Sequence, residues 1–145
     1  MDIKFTEFNK LSADELYDIM YARQAVFVVE QNCPYFDMDG KDKGAVHVTL
    51  KVNGELKAYV RIINEDGKTY IGRVITLERK RGYGEKIMRA ALDYISKHYG
   101  NVDVFVEAQV QAKGFYEKCG FKQISDEYLI DNIPHIEMVK EKEIL

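Results

Sequence analysis

Two runs of strictly alternating side chains meet at one dipeptide. Val46, Val48, Leu50 and Val52 are apolar at every second position up to Asn53-Gly54, and Leu56, Ala58, Val60 and Ile62 resume the alternation beyond it. A period of two puts the apolar members of each run on one face of a strand. Asn-Gly readily takes the two left-handed positions of a two-residue hairpin turn. The pattern predicts an antiparallel hairpin with one apolar face, and that face needs a covering layer.

The flanking sequence supplies it. Residues 64–67 form a second turn signal, and the β-rich run 69–77 suits the centre of a sheet. Upstream, residues 3–8 alternate as a half-buried strand, and Ser12 with Glu15 makes a capping box ahead of Leu16, Ile19, Met20 and Phe27 at helical spacing. Residues 31–44, with Pro34, Gly40 and Gly44, read as a loop. From 84 to 98 the apolar stripe Ile87, Met88, Ala91, Leu92, Ile95 predicts a helix stopped by Gly100. A strand over 102–108, a short helix over 112–119 closed by Gly120 and a last strand over 136–139 complete the order. This is one α+β domain spanning residues 1–145, with a mixed, mostly antiparallel central sheet flanked by helices.

Composition narrows the function. No apolar run approaches the roughly 20 residues that cross a bilayer, and Met1-Asp2-Ile3-Lys4 does not begin a secretory signal. A cytoplasmic protein without a membrane partner is expected, with Cys33 and Cys119 reduced. The two cysteines lack metal-ligand spacing, and an EF-hand register with Gly40 as its sixth position would put Tyr35 first and Val46 twelfth, so no metal is expected. The net charge of -3 argues against nucleic acid. Locally the sign inverts: six basic residues (Arg73, Arg79, Lys80, Arg81, Lys86, Arg89) stand against Glu78 and Glu85. That fits a local anion site.

The segment Arg79-Lys80-Arg81-Gly82-Tyr83-Gly84 sits between a predicted strand and a predicted helix. Backbone N–H groups and the helix dipole favour an anion there, and glycines at 82 and 84 allow left-handed dihedrals and close approach of phosphate oxygens. Arg79 and Arg81 can add charge-assisted bonds. Taken alone, the pattern is also that of a solvated strand-to-helix turn. Neither a Rossmann G-x-G-x-x-G nor a Walker loop is present.

About thirty residues on comes Gly114-Phe115-Tyr116-Glu117-Lys118-Cys119-Gly120-Phe121. With Val74 to Gly84, this order and separation resembles the GCN5-related N-acetyltransferase (GNAT) family. Residues Val26 to Gln31, Cys33-Pro34-Tyr35, Asp37, Asp39-Gly40, Gly72-Arg73-Val74 and Ile133 to Ile136 resemble its ElaA-like branch along nearly the whole chain. Two departures are visible. The link from Val74 to Arg79 is about two residues shorter than the usual family hinge, and Gln109 stands where many relatives have Asn.

The resemblance implies the GNAT acyl-CoA acyltransferase fold, with acetyl-CoA as cosubstrate. The central strand would splay from the strand at 102–108, with Val74, Ile75 and Thr76 bonding the pantetheine arm, and Arg79, Arg81, Gly82, Tyr83, Gly84 and Gln109 completing the coenzyme site. The Val74 N–H would face the thioester oxygen. Tyr116 is the implied proton donor to the leaving thiolate, and an aromatic packed under the sheet is its plainer reading. Glu30, His47, Glu107 and His135 are all open as the base. The acceptor is expected to be a primary amine, on a small molecule or a peptide, at an acidic rim containing Glu30, Asp37, Asp39, Asp42, Asp126, Glu127 and Asp131. An imidazole there could relay a proton. A monomer or homodimer is expected, and a non-catalytic acyl-CoA sensor is the competing reading.

Overall fold

The hairpin forms as its alternation requires, and the sheet grows from it. The computed structural model describes residues 1–144. Strands β1 (Asp2–Glu7), β2 (Val46–Val52), β3 (Glu55–Glu65) and β4 (Lys68–Thr76) pair antiparallel in sequence order. Val48 faces Val60 and Leu50 faces Ala58 in the β2–β3 register. Both tight turns use paired left-handed residues, Asn53 (φ 52) with Gly54 (φ 81) and Asp66 (φ 53) with Gly67 (φ 75).

Helix α1 (Ala13–Arg23) precedes β2, and its capping box is complete: Ser12 Oγ accepts from the Glu15 N–H, and Glu15 Oε1 accepts from the Ser12 N–H. The helix does not stop at Arg23. It widens into a seven-residue π-helix, Gln24–Glu30. Helix α2 (Tyr83–Tyr99) crosses from β4 to the parallel strand β5 (Val104–Gln109). Beyond a short α3 (Lys113–Lys118), strands β6 (Lys122–Gln123) and β7 (Tyr128–Ile130) both pair with β8 (Ile133–Lys140). The order is β1-β2-β3-β4-β5-β8-β6, a mixed and mostly antiparallel sheet.

Helices cover both faces. Ile87, Met88, Ala91 and Ile95 of α2 lie against Val48, Leu50, Val60 and Ile62, all buried. Each such large side chain contributes about 1.5–3 kcal/mol when taken from water. On the other face Ile19, Ala22 and Val26 pack on Tyr59 and Ile75. No helix among the described residues is long and apolar enough to cross a membrane.

Two irregularities shape the middle of the sheet. Tyr59 pairs with Ile75 but Arg61 pairs with Gly72, so Val60 faces both Arg73 and Val74, a β-bulge. Strands β4 and β5 pair only at Thr69 with Val104 and at Tyr70 with Phe105. Both strands run on beyond that point without a partner in each other.

Candidate active site

The unpaired ends of β4 and β5 form two walls of a cleft of about 1270 Å³. The bulge builds the first wall. Arg73 takes φ 51, a left-handed value that costs a non-glycine residue free energy. Its side chain supplies compensation: Nε donates to Asp37 Oδ1 at 2.8 Å and Nη2 to the Asp37 carbonyl at 2.9 Å. The wall continues through Val74, Ile75 and Thr76 to the turn before α2. There Gly82 (φ 75) caps the helix with no side-chain bond to its first turn, which leaves N–H groups of that turn unmet by a capping side chain.

Opposite stand Glu107 and Gln109 of β5 and Phe115 and Tyr116 of α3. Tyr116 is 7% exposed, set edge-on to Phe115 (5.2 Å) and Phe121 (5.9 Å). Burial, with the neighbouring Cys119, pushes its phenol well above the ordinary tyrosine range. It remains a protonated donor at neutral pH.

The π-helix reaches across the opening with its last residue and the residue after it. Arg79 Nη1 donates to Glu30 Oε1 at 2.7 Å, and that hydrogen bond holds the Glu30 carboxyl below its usual value. Gln31 and Gln109 exchange amide bonds of 3.2 and 3.0 Å. Because π-helical turns are uncommon and concentrate at functional sites, this placement is informative. His135, which pairs with Gln109 in the β5–β8 register, lines the cleft. Its Nδ1 lies 2.7 Å from the Ile133 carbonyl. A carbonyl can only accept, so Nδ1 donates to it and Nε2 is the ring nitrogen left to face the cleft's contents.

A family model described as "Acetyltransferase (GNAT) domain" matches residues 12–142. The chain belongs to the GNAT family. A UPF0039 protein of Schizosaccharomyces pombe is 43% identical to it over 143 residues, 95% of each chain. The crystal structure of Escherichia coli ElaA superposes with a TM-score of 0.92 at 37% identity, covering 97% of this chain and all of that one (100%). An acyl-CoA N-acyltransferase of Pseudomonas aeruginosa gives 0.90 at 34% identity, over 97% and 99% of the two chains. The architecture is that of acyl-CoA N-acyltransferases, and acyl transfer is the general chemistry of the family.

Within this GNAT fold, Val74, Ile75, Thr76, Arg79, Arg81, Gly82, Tyr83, Gly84 and Gln109 all line the one cleft, together with Glu30, Tyr116 and His135. His47 does not. It is fully buried on the α1 face, with Nε2 2.9 Å from the Asp42 carbonyl and Nδ1 2.6 Å from the Tyr59 hydroxyl. Burial lowers its pKa. Both ring nitrogens are taken up by Tyr59 and the Asp42 carbonyl, so His47 ties the loop to the sheet away from the cleft.

Gly84 also departs from expectation. It lies in the first turn of α2 rather than in a left-handed conformation, and a Cβ there would stand 3.1 Å from Phe115 and 3.2 Å from Thr76. Its missing side chain lets α2 and α3 close on β4, whereas Gly82 supplies the left-handed turn.

The acidic rim is corrected as well. Asp37, Asp39 and Asp42 are bound by arginines: Arg23 to Asp37 (2.9 Å) and Asp42 (2.6 Å), Arg61 to Asp39 (2.6 Å) and Asp42 (2.9 Å), and Arg73 to Asp37 (2.8 Å). Burial opposes the charge on Asp39 and Asp42, yet these arginines outweigh it and hold both below the usual range. Three positive and three negative groups balance, so the loop is neutral and pinned. The sequence carries a trace of this. Arg23 stands four residues after Ile19 on the buried stripe of α1, and Arg61 lies between Tyr59 and Ile63, so cations occupy core-facing positions opposite an aspartate-rich loop. Gln31, which reading by residue type passes over, is visible only through its partner across the cleft. Among the described residues no group of three His, Cys, Asp or Glu is arranged to hold a metal ion.

Proposed function

We propose that this chain transfers an acetyl group from acetyl-CoA directly to a primary amine, as a single catalytic domain. The observation that carries the reading is the parting of β4 and β5 after Tyr70, beside a bulged strand that leads into the Gly82-capped end of α2. An extended acyl-pantetheine arm needs unpaired strand edges to bond, and a pyrophosphate needs a helix N-terminus with cationic neighbours. Both lie in one cleft here.

Each residue then has a task. The backbone of Val74, Ile75 and Thr76 holds the arm, with the Val74 N–H donating to the thioester oxygen as negative charge develops. The turn from Arg79 to Gly84 receives the pyrophosphate, Tyr83 lines its approach, and Gln109 bonds the arm from β5. As the amine nitrogen bonds to the carbonyl carbon and the carbon–sulfur bond breaks, Tyr116 protonates the departing thiolate. The proton leaving the amine goes to His135 Nε2 or to Glu30, directly or through water. The free thiols of Cys33 and Cys119 suit a reducing, cytoplasmic setting.

The test is thiol release from acetyl-CoA in the presence of polyamines, lysine-containing peptides, aminoglycosides and hydroxyl acceptors. Amine-dependent release is expected. Preference for an alcohol would overturn the acceptor assignment, and coenzyme binding without release to any amine would turn the reading toward a sensor.

A further inference from the structure

Arg61 is 4% exposed, and both of its terminal nitrogens are hydrogen-bonded. Nη1 donates to Asp39 Oδ1 and Asp42 Oδ1, both at 2.9 Å, and Nη2 to Asp39 Oδ2 at 2.6 Å. Its Nε differs. Among the described residues it is the one buried side-chain nitrogen or oxygen without a hydrogen-bond partner. Leaving such a donor unmet costs about 1–3 kcal/mol, and among the buried atoms described the shortfall is confined to one place.

That place is beside Gly72. Gly72 is the cross-strand partner of Arg61. Where a side chain at position 72 would begin, the one atom within 4 Å outside the adjoining backbone is Arg61 Nε, at 3.8 Å. The backbone at Gly72 is not left-handed, so its conformation does not call for glycine. Space is what the glycine provides. Arg61 and Gly72 both line the cleft, with Tyr70 and Ile63 alongside.

We propose that the space over Gly72 is an acceptor subsite, and that the acylated amine carries a neutral carbonyl or hydroxyl oxygen that accepts from Arg61 Nε. The inference rests on the acyl-transfer reading and narrows its acceptor class. A carboxylate fits less well, because the three arginines of the network are already balanced by three aspartates and the rim sets Lys41 and Lys68 against Glu65 and Asp66. A polyamine fits least: its second ammonium would set N–H against N–H. Gly72 lies two residues before Val74, at most about 7 Å along the chain across the bulge, so the oxygen stands several bonds from the reacting nitrogen.

Two probes of similar length separate the outcomes, 4-aminobutanamide with an oxygen and pentylamine without one. With coenzyme A present, the assigned Arg61 Nε–H resonance is expected to shift saturably with 4-aminobutanamide and not with pentylamine. In acetyl transfer the amide should be preferred in kcat/KM by about tenfold or more, the scale of one hydrogen bond to an otherwise unmet donor. Gly72→Ala, which sets a methyl group at ordinary contact distance from Nε, should bring that ratio toward one and suppress the resonance shift. It also avoids Arg61 variants, which would break the ionic network and endanger folding. No shift with either amine, equal shifts with both, or an undiminished preference in Gly72→Ala would overturn the subsite. Failure to acetylate both amines would count against acyl transfer itself, and the Nε–H titration, needing no turnover, still decides the subsite.

Discussion

Tyr116 and His47 are both buried polar aromatics, one lining the cleft and the other outside it. Tyr116 lines the cleft with its phenol kept protonated by burial, so Tyr116→Phe should lower turnover about 10- to 1000-fold while leaving acetyl-CoA affinity nearly unchanged. Steady-state kinetics beside calorimetric affinities read this directly, and wild-type turnover in the variant would reduce the residue to packing. His47 instead reports on stability. Its folded pKa lies below the ordinary 6.5, chiefly through burial. Below about pH 6.5 the unfolded chain takes up a proton that the folded chain refuses, so the histidine's contribution is present above that pH and falls as pH drops toward the folded value. Urea midpoints should fall over that window, and less steeply in His47→Gln, which can keep a donor to the Asp42 carbonyl. Identical slopes would remove His47 as the cause. The losses due to Asp39 and Asp42 come at lower pH, below the ordinary aspartate value of 3.8, since their folded pKa values are depressed.

At the scale of elements, the site depends on how α2 seats. Its first turn closes on β4 and α3 where Gly84 has no side chain: a Cβ there would stand 3.1 Å from Phe115 and 3.2 Å from Thr76, tight enough that those side chains would have to yield. Gly84→Val should therefore cost about 1–3 kcal/mol by overpacking. It should also weaken acetyl-CoA binding by shifting the helix end proposed to receive the pyrophosphate. A thermal melt with and without acetyl-CoA measures both, and a variant as stable and as responsive as the parent would show that the contact is slack. The hairpin and α2 are legible in the sequence because each has a sustained period: Val46 to Ile62 for the strands, Ile87 to Ile95 for the helix. The π-helix is not legible. It follows the capped helix without a break in apolar spacing, and what distinguishes it is one wider turn that brings Glu30 and Gln31 over the cleft. Strands β6 and β7, two and three residues long, are too short to carry a period, and they form on an edge that β8 provides.

For the molecule as a whole, the decisive feature is a sheet that begins to pair β4 with β5 and then stops. Local sequence cannot state this, because pairing between residues 69 and 104 depends on the α2 crossover and on β8 holding β5 from its other side. The coenzyme positions are more legible than the acceptor side for a related reason. Arg79 to Gly84 is one contiguous turn, whereas Arg23, Arg61, Arg73 and the aspartates meet only through tertiary contacts, and their mutual neutralisation cancels the charge that counting residues in the loop suggests. The central claim is that the opening between β4 and β5 holds an acyl-CoA. Isothermal titration calorimetry of acetyl-CoA into the intact chain tests it most directly. Saturable binding at one site per chain is predicted, weakening as added salt screens the pyrophosphate from Arg79 and Arg81. No binding of acetyl-CoA or coenzyme A at millimolar concentration would contradict the account.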